Sequence, residues 1–145
     1  MIKIAHESPK SIFEEVQKFT DYDYALVHLF EEDPEYLAQF QKAILKGREV
    51  ILDNSIFELE EAFDANKFDK WVKEIRPAWY IVPDALEDVD RTIMQMEDWN
   101  NKGLGYQGSG KIGVIQGKTY DEIVDCYNYM NKEEDVDMIA ISFDY

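Results

Sequence analysis

A carboxylate, an amide and a hydroxyl follow one another at the end of an apolar run in the segment EVILDNSIFE. The run reads as a buried strand, Asp53, Asn54 and Ser55 come directly after it, and Phe57 follows two positions later. A carboxylate serves as acid, base or nucleophile, and an amide both donates and accepts hydrogen bonds. An aromatic ring adds a flat apolar wall. The segment is therefore the first candidate for a functional site.

Other apolar runs also end in polar residues. Asp84 follows Pro83 in YIVPD, and Gln116 and Gly117 follow IGVI. Ligands of parallel α/β folds bind at the carboxyl ends of the strands, so these groups belong to one rim. Glutamine can read a base edge, and glycine lets a ligand approach the backbone. The alternative for a single Asp is capping of the next helix. The expected rim carries His6, Glu7, Glu31, Asp53, Asn54, Ser55, Asp84, Gln116, Gly117 and Asp144.

Six short apolar runs begin 22 to 33 residues apart, which is the length of a strand plus a crossover helix. The gaps carry amphipathic spacing and helix-start signals, and this alternation predicts a parallel sheet covered by helices. The predicted strands are Ile2–Ala5, Tyr24–Phe30, Val50–Leu52, Trp79–Val82, Ile112–Ile115 and Met138–Phe143. The predicted helix starts are Ser8-Pro9, Asp33-Pro34, Asp64, Asp88 and the pair Thr119 and Glu122.

The last strand favours a barrel over an open doubly wound sheet. Small residues suit a crowded barrel interior, large ones suit the helix layer, and an open sheet requires large residues on both faces. One face of MIAISFDY carries Ala140, Ser142 and Asp144, and the other carries Ile139, Ile141 and Phe143. We therefore predict an α/β, TIM-barrel-like (β/α) domain over residues 1–145, incomplete with about six β/α units. It would be the N-terminal part of a longer barrel, or a barrel completed by a partner, and its open sheet edge favours a homo-oligomer.

The composition of the chain limits which classes of partner it can bind. The chain of 145 residues suits one domain, and its net charge of −16 opposes binding of nucleic acid phosphate and of anionic lipid. Contact with nucleic acid would need a local basic patch or another part of the molecule. No run approaches the length of a membrane span and no signal-peptide pattern is present, so a cytoplasmic location and no membrane partner are expected. The single cysteine, Cys126, excludes an internal disulfide and a multi-cysteine zinc site, and it reads as a packed thiol. No cofactor is expected.

Two segments imitate known motifs. GYQGSGK, residues 105–111, fits the phosphate-loop spacing, but Ile112 follows the lysine and a strand follows the segment, whereas a phosphate loop needs a helix N-terminus. We predict a flexible loop. HESPK begins like a zinc-protease helix but lacks the second histidine, which leaves His6 as a rim group or a helix-capping contact.

DNSIFE resembles the D-S-G-G-F-Q segment of tRNA-guanine transglycosylases, and IGVIQGK resembles their G-I-V-Q-G-G segment. More specifically, the chain resembles small phage-encoded members of that superfamily, which include DNA 7-deazaguanine transglycosylase-like proteins and related DNA base glycosylases. The resemblance implies exchange or removal of a (deaza)purine or modified base. It implies that Asp53 sits beside the reacting base and sugar, Phe57 stacks on the base, and Asp84, Gln116 and Gly117 read it. Asp144 ends a strand resembling the one that follows this pair in the family, and Asp53 and Asp144 are the two catalytic candidates.

The sequence also departs from the family. The residues after Asp53 are bulkier than Ser-Gly-Gly, and Lys118 replaces a glycine. The family's nucleophilic aspartate and its cysteine-rich zinc site lie on later segments that have no counterpart here. Binding of a base without exchange is therefore one expectation.

Two other readings stay open. One is a metal-dependent barrel hydrolase using His6, Asp53, Asp84 and Asp144 around Mg²⁺ or Mn²⁺. The other is a non-catalytic module that assembles through its exposed sheet edge.

Overall fold

A computed structural model describes residues 1–133 and 135–141. Six parallel strands pair in sequence order, and the sheet is curled into a half-barrel, which confirms the predicted α/β class and the incomplete barrel-like shape. The strands are β1 (Ala5–His6), β2 (Tyr22–Leu26), β3 (Glu49–Asp53), β4 (Trp79–Ile81), β5 (Gly110–Ile115) and β6 (Met138–Ile141). The helices are α1 (Phe13–Val16), α2 (Val27–Glu32), α3 (Pro34–Leu45), α4 (Ile56–Leu59), α5 (Ala65–Ile75), α6 (Val89–Asn101) and α7 (Tyr120–Met130), and a 3₁₀ turn (Lys10–Ile12) precedes α1.

The convex face of the sheet forms the core because alternate strand residues point into the helix layer. Val50 and Leu52 of β3 are fully buried there, together with Phe68 of α5 and Trp99 of α6. The intervening residues face the concave side, where Ile81, Val114 and Ala140 line a cavity. Ile139 of β6 packs against the core and Ala140 lines the cavity, as predicted. Ile141 differs from the prediction, because it is exposed and also borders the cavity instead of packing against the helix layer.

Four of the five predicted helix starts are confirmed. Asp33 accepts from the backbone nitrogens of α3, Asp64 and Asp88 do the same for α5 and α6, and Thr119 forms a complete capping box at α7. These side chains satisfy N–H groups that the first helical turn leaves without partners. The start at Ser8-Pro9 is confirmed only in part. A 3₁₀ turn begins at Lys10 and leads into the short helix α1, but it has no side-chain cap, and Phe19, expected on the apolar face, is exposed.

Two strand predictions need correction. The second strand begins at Tyr22 and ends at Leu26, and Val27 to Glu32 form helix α2 instead of continuing it. Val27 and Phe30, spaced three apart, are buried on one helix face, a spacing that a short apolar run cannot distinguish from a strand. Glu31 therefore lies on a helix, where it pairs with Lys67, and does not end a strand. The first strand covers Ala5–His6, and Ile2 before it is exposed.

The segment at residues 105–111 is the connection into β5. The backbone nitrogen of Gly105 donates to Asp69 over 2.6 Å, and the Ser109 hydroxyl donates to the Pro77 carbonyl over 2.5 Å. A Cβ on Gly110 would lie 2.2 Å from the Trp79 ring, so close strand packing accounts for this glycine. A strand follows, as predicted, and these contacts hold both ends of the loop.

Two further expectations concern burial and hydropathy. Cys126 is fully buried, which confirms the packed thiol. Within residues 1–133 and 135–141, no helix combines the length and the apolar character that crossing a membrane requires.

Candidate functional site

The ends of β3, β4 and β5 meet at a cavity of about 320 Å³ on the concave side of the half-barrel. The cavity combines a polar group of carboxyl, amide and phenol side chains with an apolar wall. The polar members are Tyr24, Asp53, Asn54, Asp84 and Gln116, and the apolar members are Ile56, Phe57, Ile81, Val114, Ala140 and Ile141. Parallel pairing brings these chain segments together because every strand ends at the same rim.

Asp84 is held by two amides. Nδ2 of Asn54 donates to Oδ1 over 2.7 Å, and Nε2 of Gln116 donates to Oδ2 over 2.6 Å. All three side chains are buried, and burial raises the pKa of Asp84 while the two amide hydrogen bonds oppose that rise. The other ends of the amides are also engaged, because Oδ1 of Asn54 accepts from Ile56 N and Oε1 of Gln116 accepts from Glu87 N. The amides therefore present a fixed carboxyl group to the cavity.

Asp53 has a different environment. Its Oδ2 accepts from the Tyr24 hydroxyl, and its Oδ1 accepts from the backbone nitrogen of Ser55 over 2.5 Å. Burial raises the pKa of Asp53 to about 6, the two hydrogen bonds lower it, and the nearby charges of Glu58 and Asp84 raise it further. A carboxyl group with a pKa near neutrality can both release and take up a proton at physiological pH. Asp53 is therefore suited to acid–base chemistry.

Ser55 makes the turn from β3 into α4. Its φ of 63° lies in the left-handed region, and its side chain is fully buried. The hydroxyl Oγ accepts from the backbone nitrogen of His28 over 3.3 Å, and Ser55 is not among the residues that line the cavity. Ser55 takes the left-handed conformation that a glycine would otherwise supply after β3. Two hydrogen bonds hold it in this strained conformation, one from His28 N to its hydroxyl and one from its own N–H to Asp53.

Phe57 lies on the first turn of α4 and borders the cavity with 58% of its surface exposed. An aromatic side chain of that exposure contributes little to the core. Its accessible ring beside the carboxyl groups is an arrangement that suits stacking on a planar ligand.

The remaining predicted site residues lie elsewhere. His6 is exposed, its Nδ1 contacts the carbonyl oxygen of Glu7, and neither residue lines the cavity. Gly117 also lies outside the cavity lining, and a Cβ there would come within 2.8 Å of Glu122, so this glycine makes room for the start of α7. Asp144 lies outside the described residues. The structure thus brings together Asp53, Asn54, Phe57, Asp84 and Gln116.

Tyr24 was missed by the sequence analysis. The predicted strand began at this residue, and its alternation with Ala25 was not used to place it on the concave side. The register of β2 on β3 pairs Tyr24 with Ile51 and Leu26 with Asp53, so the phenol reaches the rim from inside the sheet. The alternation along β2 was the available signal.

The electrostatics of the cavity are acidic. Its described lining contains two carboxyl groups and no lysine, arginine or histidine. In the part of the chain that the structure describes, no group of three or more His, Cys, Asp or Glu side chains could hold a metal ion. Of the metal ligands predicted for a barrel hydrolase, Asp53 and Asp84 line the cavity, whereas His6 does not.

This site can hold an uncharged or N–H-rich planar molecule against Phe57 and exchange protons with it through Asp53. Comparisons with protein-family models, with curated proteins and with solved structures find no match for this chain.

Proposed function

We propose that the cavity binds a (deaza)purine or modified nucleobase and that the protein takes part in its glycosyl transfer, either exchange or removal, as in the tRNA-guanine transglycosylases that the motifs resemble. The observation that carries the proposal is the convergence of Asp53 and the amide-held Asp84 at one cavity beside Phe57. The half-barrel would then belong to a TIM-barrel-like fold.

Recognition of the base would rest on Asp84 and its amide partners. The two amides each occupy one acceptor position, one on each carboxylate oxygen, and a carboxylate has about four such positions, so Asp84 can also receive N–H groups of a heterocycle. Because the amides fix the carboxyl plane before binding, little ordering would be needed when the ligand arrives.

The lack of cationic side chains in the described lining indicates which part of a nucleotide would occupy the cavity. A phosphate would meet Asp53 and Asp84 without a compensating charge, whereas an uncharged base meets hydrogen-bond acceptors and an aromatic ring. A base within nucleic acid would be flipped out of its stack, with its phosphates outside the cavity. With a net charge of −16, those phosphates would need a basic region elsewhere.

Asp53 suits the proton transfer. In glycosyl transfer a carboxylate attacks the anomeric carbon, the bond from that carbon to the base nitrogen breaks, and the base leaves with the electron pair. A second carboxyl group protonates the departing base, and Asp53 has the burial and the pKa for this step. Asp144 remains the other catalytic candidate.

Binding of 7-deazaguanine tests the proposal, with adenine as a comparison because its hydrogen-bonding edge differs. Saturation-transfer NMR should detect 7-deazaguanine on the wild-type protein. Phe57→Ala should weaken binding about tenfold or more, since base–aromatic stacking contributes about 1–3 kcal/mol. Leu59→Ala, also on α4 but outside the cavity lining, is the matched control.

Failure of 7-deazaguanine to bind at millimolar concentration would reject the proposal. Equal losses in Phe57→Ala and Leu59→Ala would remove the stacking argument. If binding is shown, Asp53→Asn should abolish base release or exchange while the protein stays folded. The cytoplasmic location, the phage-type origin and assembly through the sheet edge stay predictions.

A further inference from the structure

The Tyr24 hydroxyl makes a side-chain contact that joins β2 to the end of β3. It donates to Oδ2 of Asp53, and the Tyr24 side chain also lines the cavity. The opposite oxygen of Asp53, Oδ1, accepts from the backbone nitrogen of Ser55. Both oxygens of the Asp53 carboxyl group therefore accept a hydrogen bond, one from the Ser55 main chain and one from the Tyr24 side chain.

The two donors differ in what they can do. The Ser55 N–H belongs to the main chain of the left-handed turn, so the backbone sets its direction toward Oδ1. A phenol hydroxyl can rotate and can also accept a hydrogen bond. The contact through Tyr24 is therefore the one that a side-chain substitution can remove while the main chain is left intact.

We infer that Tyr24 is a positioning residue for Asp53, whose hydroxyl fixes the carboxyl plane and stabilises its ionised form beside the bound ligand. This inference rests on the proposed function only for the identity of that ligand. Loss of the hydroxyl would leave Oδ2 of Asp53 without this donor in a buried position, where an unpaired charge is costly.

Surrounding charges increase the importance of that donor. Glu58 on α4 and Asp84 after β4 act on Asp53 with like charge, and Glu7 after β1 acts on Tyr24. Each of these groups disfavours an additional negative charge at the Tyr24–Asp53 pair. Hydrogen bonds from the Tyr24 hydroxyl and the Ser55 N–H lower the pKa of Asp53 and so oppose the effect of these like charges.

Tyr24→Phe, which removes one oxygen and keeps the ring, tests the inference. Carbon-13 NMR of the side-chain carboxyl groups in the ligand-free protein, assigned with Asp53→Asn, should show Asp53 titrating above its wild-type pKa of about 6. Tyr22→Phe is the matched control, because Tyr22 lies on the same strand and its ring contacts Lys3. It should leave the Asp53 titration unchanged.

The same variants are then titrated with 7-deazaguanine across pH. The pH at which affinity changes should move upward in Tyr24→Phe together with the Asp53 titration, and should stay in place in Tyr22→Phe. An Asp53 titration that is identical in Tyr24→Phe and wild type would overturn the inference. It would also be overturned if the Asp53 pKa shifts in Tyr24→Phe while the pH dependence of 7-deazaguanine binding stays as in the wild type. Absence of 7-deazaguanine binding to the wild type would defeat the proposed function instead, and the ligand-free titration would still decide the role of Tyr24.

Discussion

Gln116 donates from Nε2 to Oδ2 of Asp84 over 2.6 Å, and this contact joins the end of β5 to the end of β4. Asn54 completes the link from β3 by donating to the other oxygen of the same carboxyl group. Three strand ends, separated by about 30 residues at each step, are thereby held in one buried polar network. Such a network is stabilising only when every member finds its partner.

Removing Asn54 from this network should destabilise the fold. Asn54→Leu deletes the donor to Oδ1 of Asp84 and the donor to the Val82 carbonyl, leaving buried acceptors short of a partner. We expect a loss of about 2–4 kcal/mol in the free energy of unfolding, measured by urea denaturation. Gln95→Leu is the control, because Oε1 of Gln95 is buried without a hydrogen-bond partner among the residues that the structure describes. It should change stability by less than about 0.5 kcal/mol or increase it. Equal losses in both variants would contradict this account.

Asp53 should make stability fall as pH rises. Folding raises its pKa from 3.8 to about 6, so the folded protein binds the proton more tightly and the favourable contribution is present in full below about pH 4. It is lost as pH rises through 6. Relative to Asp53→Asn, the wild type should lose up to about 3 kcal/mol between about pH 4 and pH 7, measured as urea midpoints.

Asp98→Asn provides the control for formal charge, because Asp98 is an exposed carboxylate on α6 paired with Lys102. It should show little of this pH dependence. A wild-type profile parallel to that of Asp53→Asn would show that Asp53 has no raised pKa.

Two substitutions at Ser55 should separate backbone strain from the loss of its hydrogen bond. Ser55→Ala keeps a Cβ in the left-handed conformation and loses the contact with His28 N, so we expect a loss of about 1–2 kcal/mol. Ser55→Gly loses the same contact but relieves a strain of about 1 kcal/mol. The glycine variant should therefore be the more stable of the two in thermal or urea unfolding. The reverse order would mean that the turn stores no strain.

Cys126 should be unreactive while the protein is folded. Its thiol is fully buried, burial raises the pKa of the thiol, and the thiolate is the form that reacts. Ellman's reagent should modify one thiol per chain rapidly in guanidinium chloride and only slowly in native buffer. Native modification at the unfolded rate would show that the helix α7 region opens readily.

The sequence alone determined the features that depend on local rules. Strand and helix alternate because apolar spacing follows the period of each element, and Asp33, Asp64, Asp88 and Thr119 start helices because a cap needs only the next three residues. The rim position of Asp53, Asp84 and Gln116 follows from the parallel order, since each lies at the carboxyl end of a strand or within three residues beyond it.

Only the tertiary structure decided which rim residues share a cavity and what each does there. Whether Val27 to Glu32 formed a helix or extended the strand depended on packing against the rest of the core. The raised pKa of Asp53, the Tyr24 contact and the placement of His6 and Gly117 outside the cavity depend on neighbours distant in the sequence. Burial and hydrogen bonding are set by the three-dimensional surroundings of a side chain, and spacing along the chain does not specify them.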